Sequence, residues 1–223
     1  TVFAVEQGGP VLAPFGIGLA VFVMAGAASD IVERAGLLRL PFPTALARAA
    51  GLPRSAWGTA LAHFGVGVTL LGIVGNTQWS AERIVALKPG ETVSLRQYDL
   101  TFEGAVPRAG PNYRELAARL TVRRKGEVIG VLEPSKRTFP VRGATTTEAA
   151  LMTRGASQLY ASVGDSEADG SVMLRLYHKP LVLLIWLGAL VMVAGGLLSL
   201  SDRRLRVGAP KPARARAAAQ PAE

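Results

Sequence analysis

The chain has 223 residues, 49% of them apolar, and carries a formal net charge of +9. Its mean hydropathy of +0.29 is too high for an ordinary soluble domain and too low for a chain that lies wholly within a membrane. The sequence contains no cysteine, which excludes a disulfide framework and a thiolate metal site.

Three stretches without any charged residue predict α-helical transmembrane segments. Each is about 20 residues or longer, enough to cross a hydrocarbon layer of about 30 Å at ~1.5 Å per residue. The predicted spans are residues 10–28, 57–75 and 180–200. One such stretch could be a buried helix of a large soluble protein, but three of them in one short chain favour a membrane protein.

Residues 1–28 comprise the first predicted transmembrane helix and a short N-terminal lead. The lead has no basic stretch in front of the apolar run, so it is not typical of a signal peptide. Because the chain begins with Thr1 rather than with Met, we expect it to be a piece of a longer membrane protein.

The charges between the spans predict the orientation in the membrane. Residues 29–56 form a loop with four arginines and two acids, a net charge of +2, and residues 201–223 form a basic tail with a net charge of +4. Three spans place the loop and the tail on the same side, which the positive-inside rule assigns to the cytoplasm. The tail is also rich in Pro and Ala, which predicts disorder.

Positive charge at the membrane edges can meet anionic membrane lipid, which is the simplest interpretation of the net charge. The sequence contains no helix-turn-helix, zinc-finger or RNP pattern, so we expect no nucleic-acid binding.

Residues 76–179 alternate between apolar and polar side chains and predict a mostly antiparallel β domain of five to seven strands, a small barrel or sandwich. It is expected in the periplasm, because long domains translocate largely regardless of charge. The stretch ETVSLRQYDLTFEG shifts phase between Leu95 and Tyr98, which predicts a β-bulge. A hairpin turn is predicted at residues 124–126, while residues 145–163 are ambiguous between helix and strands.

The second predicted span contains His63. A histidine in lipid is costly unless it is paired, which makes it a functional hypothesis, and neutral imidazole is a common axial ligand of haem iron. Small neighbours such as Gly58, Ala62 and Gly65 would let a porphyrin or another helix approach closely. The residues alone leave both alternatives open: a haem ligand, or a packing face with His63 hydrogen-bonded to a neighbouring carbonyl.

His178, the other histidine, is predicted at the opposite membrane edge, where we expect its imidazole to snorkel to the interface. The two histidines would differ in depth by roughly 20 Å at ~1.5 Å per residue. They cannot both be axial ligands of one haem within a monomer, so a second ligand would come from outside the chain.

Six motifs occur in order between about Gly9 and Arg204: GLPRSAWGTALAHFGVGVTLLGI, SAERIVALKPGETVSLRQYDLTFEGAVPRAGPNYRELAARLTV, SKRTFPV, TTTEAAL, LYASVGD and VMLRLYHKPLVLLIWLGALVMVAGGLLSLSDRR. Together they resemble the C-terminal portion of the CcmF/CycK family of cytochrome c maturation haem lyases.

The resemblance implies part of a haem lyase of the bacterial inner membrane, which attaches haem covalently to the Cys-x-x-Cys-His motif of exported apocytochromes c. It further implies that the haem chaperone CcmE delivers haem and that CcmH handles the apocytochrome. It also implies a stable b-type haem among the helices, which helps to keep the incoming haem reduced. The histidine of the LAH-x-G motif resembles one axial ligand of that b haem, and in this sequence it is His63.

The chain departs from the family pattern because it lacks the Trp-rich WWD haem-handling region, its two flanking histidines and the second b-haem ligand. We therefore expect a C-terminal piece, a truncated form or one subunit of a split protein, and no catalytic residue is assigned. A non-catalytic assembly or scaffold subunit with a periplasmic docking domain is the main alternative. A transporter or channel subunit is disfavoured, because the predicted spans carry no charged residue.

Four arginines of the β domain are candidate contacts for haem propionates or for an acidic partner, although exposed arginines are usually solvated. They are Arg114, Arg123, Arg124 and Arg137.

Overall fold

The computed structural model describes residues 12–167 and 170–202. The predicted N-terminal lead and the predicted disordered tail lie almost entirely outside the described residues. The described residues form two compact units. The helical unit contains residues 18–68 and 187–202, and the β unit contains residues 12–17 and 69–186.

Four α-helices are described: α1 (Ala13–Ala35), α2 (Phe42–Ala50), α3 (Arg54–Trp79) and α4 (Val182–Leu200). Three of them, α1, α3 and α4, are long and apolar enough to cross a membrane, which agrees with the predicted membrane class. The first helix ends at Ala35 rather than at residue 28, and it is stopped by Gly36, whose φ of 72° favours glycine. Residues 29–56, predicted as a loop, also contain α2.

Helix α3 contacts both of the other long helices of the helical unit through its glycines. A Cβ added to Gly58 would lie 2.5 Å from the carbonyl oxygen of Gly195 on α4. On another face of α3, a Cβ at Gly67 would lie 2.8 Å from the carbonyl oxygen of Ala20 on α1. Small residues therefore let the helix backbones approach closely, as they do in many membrane proteins.

The N-terminus of α3 is capped from a distant part of the sequence. The backbone N–H of Ser55 donates a hydrogen bond of 3.0 Å to the carboxylate of Asp202, which is 7% exposed. A carboxylate at this position satisfies an otherwise unpaired amide and interacts favourably with the helix dipole. In addition, the indole of Trp57 donates to the carbonyl of Ala49, which connects α3 to the end of α2.

The β unit contains ten described strands rather than the five to seven expected. They are β1 (Ala81–Leu87), β2 (Thr92–Leu95), β3 (Tyr98–Ala109), β4 (Arg114–Arg124), β5 (Glu127–Leu132), β6 (Ser135–Phe139), β7 (Ala144–Glu148), β8 (Ala150–Arg154), β9 (Ser157–Ser166) and β10 (Val172–Lys179). All pairings are antiparallel. One sheet has the order β1-β10-β9-β8, and the other has the order β2-β3-β4-β6-β7, with β5 on the same edge of β4 as β6.

The core of the sandwich lies between these sheets and confirms the predicted alternation. Leu100 and Phe102 of β3 and Leu174 and Leu176 of β10 are at most 1% exposed. The ambiguous residues 145–163 form strands: the apolar side chains of β8 and β9 complete the inner face of the first sheet, and β7 pairs with β6 in the second.

Two local predictions have different outcomes. The hairpin at residues 124–126 is confirmed: β4 and β5 join through Lys125 and Gly126, both with positive φ. The bulge predicted between Leu95 and Tyr98 is wrong. A two-residue turn connects β2 and β3 there, with Arg96 at a φ of 57°, and a true register shift follows later, between Phe102 and Gly104.

The contact of α3 with α4 predicts opposite effects for two adjacent glycines. A Cβ at Gly195 would lie 2.6 Å from the backbone nitrogen of Ala62, whereas a Cβ at Gly196 meets nothing within 4 Å. Gly195→Ala should therefore lower the free energy of unfolding by about 1–3 kcal/mol through overpacking. Gly196→Ala should leave it unchanged or raise it by up to about 1 kcal/mol. Denaturant titration of the membrane protein in detergent measures both, and equal effects of the two substitutions would contradict the close contact.

The ion pair between β4 and β6 predicts a pH dependence of stability. The guanidinium of Arg137 and the hydroxyl of Ser135 donate to the carboxylate of Glu115, and these bonds hold the pKa of Glu115 below its ordinary value. Because the pKa is lower in the folded state, this stabilisation is complete above the unfolded pKa of about 4.3 and is lost as the pH falls through the folded value. Glu115→Gln should therefore flatten the acid limb of a plot of unfolding midpoint against pH.

Glu127→Gln is the matched control for this measurement, because Glu127 is exposed at the start of β5. It should leave the acid limb as steep as in the wild type. An unchanged acid limb in Glu115→Gln would show that the ion pair does not contribute to acid sensitivity.

Candidate functional site

His63 lies in the part of α3 that belongs to the helical unit, and its side chain is exposed. Its Nδ1 atom is 2.8 Å from the carbonyl oxygen of Thr59, one helical turn earlier. A carbonyl oxygen can only accept a hydrogen bond, so Nδ1 must carry the proton and donate. In the neutral imidazole, the lone pair of Nε2 is then available to a ligand.

This geometry bears on both alternatives that the sequence left open. The hydrogen bond to a carbonyl is present, but the carbonyl belongs to the same helix rather than to a neighbouring one. The close helix contacts of α3 use Gly58, Gly65 and Gly67 instead. A histidine that donates one ring N–H to a backbone carbonyl while its other nitrogen is open has the arrangement typical of metal-binding histidines.

A groove between α1 and α3 adjoins the imidazole, with a volume of about 420 Å³. Ala27 and Ala60 form its floor, and both are 8% exposed. On the α1 side of the groove Gly26 has no side chain, and a Cβ added to it would meet nothing within 4 Å, so the space beside it is open. The lining residues are Phe22, Val23, Gly26, Ala27, Asp30 and Arg34 of α1 and Thr59, Ala60 and His63 of α3.

One end of this groove is charged. The Nε atom of Arg34 donates a hydrogen bond of 2.8 Å to the carboxylate of Asp30, one turn earlier on α1. The two side chains remain 54% and 41% exposed. Both residues fall in the predicted loop 29–56, because the predicted first helix ends at residue 28 and the observed one at Ala35. The spacing of Gly26, Asp30 and Arg34 at every fourth residue is the signal that would have placed them on one face.

The groove and the histidine together fit a haem. Apolar and small side chains line most of the groove, and an imidazole nitrogen opens beside them. Among the described residues, no cluster of three or more His, Cys, Asp or Glu side chains could hold a metal ion.

The structure overturns the expectation that His178 snorkels to the interface. His178 is 8% exposed, and its ring lies 5.7 Å from the ring of Tyr98. Neither ring nitrogen has a hydrogen-bond partner within the described part of the chain. Val172, Leu174, Leu176 and His178 alternate along β10, so the period of two places the imidazole on the inner face of the sheet.

Burial, with the nearby guanidinium of Arg96, holds the pKa of His178 below its ordinary value. The imidazole is consequently neutral near pH 7. His178 also lines a cleft of about 600 Å³ together with Trp79, Arg96, Gln97 and Pro180.

The four candidate arginines of the β domain do not form one patch. Arg114 and Arg123 lie near opposite ends of β4, about 30 Å apart at ~3.3 Å per residue. Arg137 is held by Glu115 and packs over the ring of Tyr113, 4.6 Å from its centroid. Arg124 donates to Gln97 and Arg123 donates to Thr101. These contacts favour structural roles for at least three of the four arginines.

Comparison with known proteins places the chain among cytochrome c biogenesis proteins. Residues 78–180 match the family described as the CcmF C-terminal beta-sandwich. The cytochrome c-type biogenesis protein CycK of Bradyrhizobium diazoefficiens is 60% identical over 222 residues, which cover 100% of this chain and 34% of that protein. The CcmF protein of Escherichia coli is 40% identical over 152 residues, which cover 68% of this chain and 24% of that protein.

The chain thus spans about a third of the length of the curated relatives that match it over most of its length. A solved structure named cytochrome c heme lyase CcmF has a similar fold, with a TM-score of 0.58 and 20% sequence identity. That match covers 86% of this chain and 39% of the other.

Proposed function

The chain belongs to the CcmF/CycK family of cytochrome c-type biogenesis proteins, and from this premise we propose that it is part of a membrane-bound cytochrome c haem lyase. Within that enzyme, His63 is one axial ligand of a b-type haem. The observation that carries the proposal is the open Nε2 atom of His63 beside an apolar groove. The second axial ligand comes from a part of the protein outside this chain.

The residues of the site act on the haem by holding and orienting it. The carbonyl of Thr59 keeps the proton on Nδ1, so Nε2 is presented as the ligating atom and the ring cannot turn freely. Gly26, Ala27 and Ala60 have no side chain or only a methyl group, so they leave space in the groove for a flat ring. When bound, a haem of this kind supplies one-electron transfer, which would keep the incoming haem reduced for attachment to apocytochrome c.

We place the chain in the bacterial inner membrane as a multi-pass segment, with its β sandwich in the periplasm. The net charges of the predicted loop and tail support this orientation. In this arrangement the sandwich is a docking surface for the proteins of the same pathway, namely the haem chaperone CcmE, CcmH and apocytochrome c. We propose that each of these proteins binds to a face of the sandwich.

Substitution of His63 tests the ligand role directly. In the full-length protein, His63→Ala should lose most of its b haem, because iron loses one of its two axial ligands. A pyridine haemochrome assay of the purified membrane protein measures the haem content. His178→Leu is the matched control, because it removes the other histidine of the chain.

The control should retain its haem and fold at least as stably, since it removes two buried nitrogens without partners. Full retention of b haem in His63→Ala would refute the ligand role, whereas absence of haem from the purified wild type as well would favour a non-catalytic scaffold subunit.

Filling the groove tests the position of the porphyrin without touching its ligand. Gly26→Leu should abolish haem binding, because the side chain would occupy the centre of the groove beside His63. Gly18→Leu is the control, since a Cβ at Gly18 also meets nothing within 4 Å and Gly18 does not line the groove. Both substitutions replace a helical glycine, which favours the helix by up to about 1 kcal/mol. Equal haem content in the two variants would exclude the groove as the porphyrin site.

A further inference from the structure

We propose that the charged end of the His63 groove, formed by Asp30 and Arg34, binds the propionate carboxylates of the haem, with Arg34 as the cation. This inference rests on the proposed function, because it assumes that a haem lies in the groove. It assigns a second group of haem contacts, on α1 instead of α3.

The distribution of polarity in the groove matches that of a porphyrin. Haem b, the iron complex of protoporphyrin IX, has an apolar ring with iron at its centre and two carboxylates on one edge. The groove is apolar along Phe22, Val23 and Ala27, and its only charged lining residues within the described chain are Asp30 and Arg34. Both lie toward the C-terminal end of α1, so the cation that can neutralise a carboxylate, Arg34, lies at one edge of the groove.

The spacing along α1 places the cation at a distance from the centre of the groove. Gly26, Asp30 and Arg34 follow one another at intervals of four residues on one face of the helix. From Gly26 to Arg34 the axial distance is about 12 Å at ~1.5 Å per residue. The cation is therefore offset from Gly26 toward one edge of the groove.

The chemistry of Arg34 suits a carboxylate. Its guanidinium has five N–H donors in a planar fork, and the contact with Asp30 uses the Nε donor. The terminal nitrogens remain able to form a bidentate bond with a second carboxylate. An exposed pair four residues apart on a helix contributes little to stability, so Asp30 can give way to a propionate without harm to the fold.

The position at the end of the helix supports the same role. Arg34 is the penultimate residue of α1, where a cation interacts favourably with the helix dipole. It also follows the charge-free stretch, so the long side chain can reach the edge of the membrane. Charged propionates would also lie near the edge of the membrane, because they are costly to bury in hydrocarbon.

The experiment compares haem with haem dimethyl ester, in which both propionates are blocked. Full-length apoprotein is titrated with each compound, and binding is followed by the absorption spectrum of the low-spin haem. The wild type should prefer free haem by about tenfold, the scale of a hydrogen bond between charged groups. Arg34→Gln should lose this preference while its spectrum remains that of a haem with two axial ligands.

Two further variants make the comparison specific. Asp30→Asn should keep or increase the preference for free haem, because it releases Arg34 from its present carboxylate. Arg39→Gln removes the same charge from an exposed position outside the groove and should keep the preference. A preference that survives in Arg34→Gln, or that disappears equally in Arg39→Gln, overturns the assignment.

His63→Ala in the same series separates this inference from the proposed function. If His63→Ala changes the low-spin spectrum while Arg34→Gln keeps the preference for free haem, only the propionate assignment fails. If His63→Ala retains the low-spin spectrum, the ligand role fails and the propionate assignment fails with it.

Discussion

The close approach of helix backbones around α3 is the constraint on which the helical unit depends. Gly58 and Gly65 bring α3 against the backbone of α4, and Gly67 brings it against α1. At these positions any side chain would collide with a backbone atom, so the faces of α3 that pack are fixed. Thr59, His63 and Gly67 follow one another at intervals of four residues, so Thr59 and His63 lie on the side of α3 that faces α1, and the imidazole adjoins the groove beside that contact.

The hydrogen bond from Nδ1 of His63 to the carbonyl of Thr59 then leaves Nε2 as the nitrogen that can bind a ligand in the groove. It needs no partner from another helix, so the ring is oriented by its own backbone even before a ligand binds. The same helix pairing places Asp30 and Arg34 along the groove on α1. A nitrogen ligand and a cation are thus supplied by two different helices, and their separation is determined by how those helices cross.

The β sandwich follows a different principle, because its ionisable groups are largely satisfied within the domain. Glu115 accepts hydrogen bonds from Arg137 and Ser135, and Arg119 bridges Glu103 and Glu133. His178 is neutral and buried, on the inner face of the first sheet. These features suit a rigid domain whose surface binds partners. They also distinguish His178, which is buried in the sandwich, from His63, whose Nε2 is open to a ligand.

The sequence by itself determined the long helices, the antiparallel strands and the inward side chains, because each depends on a local pattern of apolar residues. It singled out His63 for the same reason: a lone imidazole in a charge-free stretch is visible without any structure. Only the tertiary structure decided that β2 and β3 meet in a tight turn at Arg96, that His178 is buried, and that Asp30 and Arg34 line the groove. The burial of His178 and the lining of the groove depend on which face a second element covers, which the spacing along one element does not specify, and the turn depends on the register in which β2 and β3 pair.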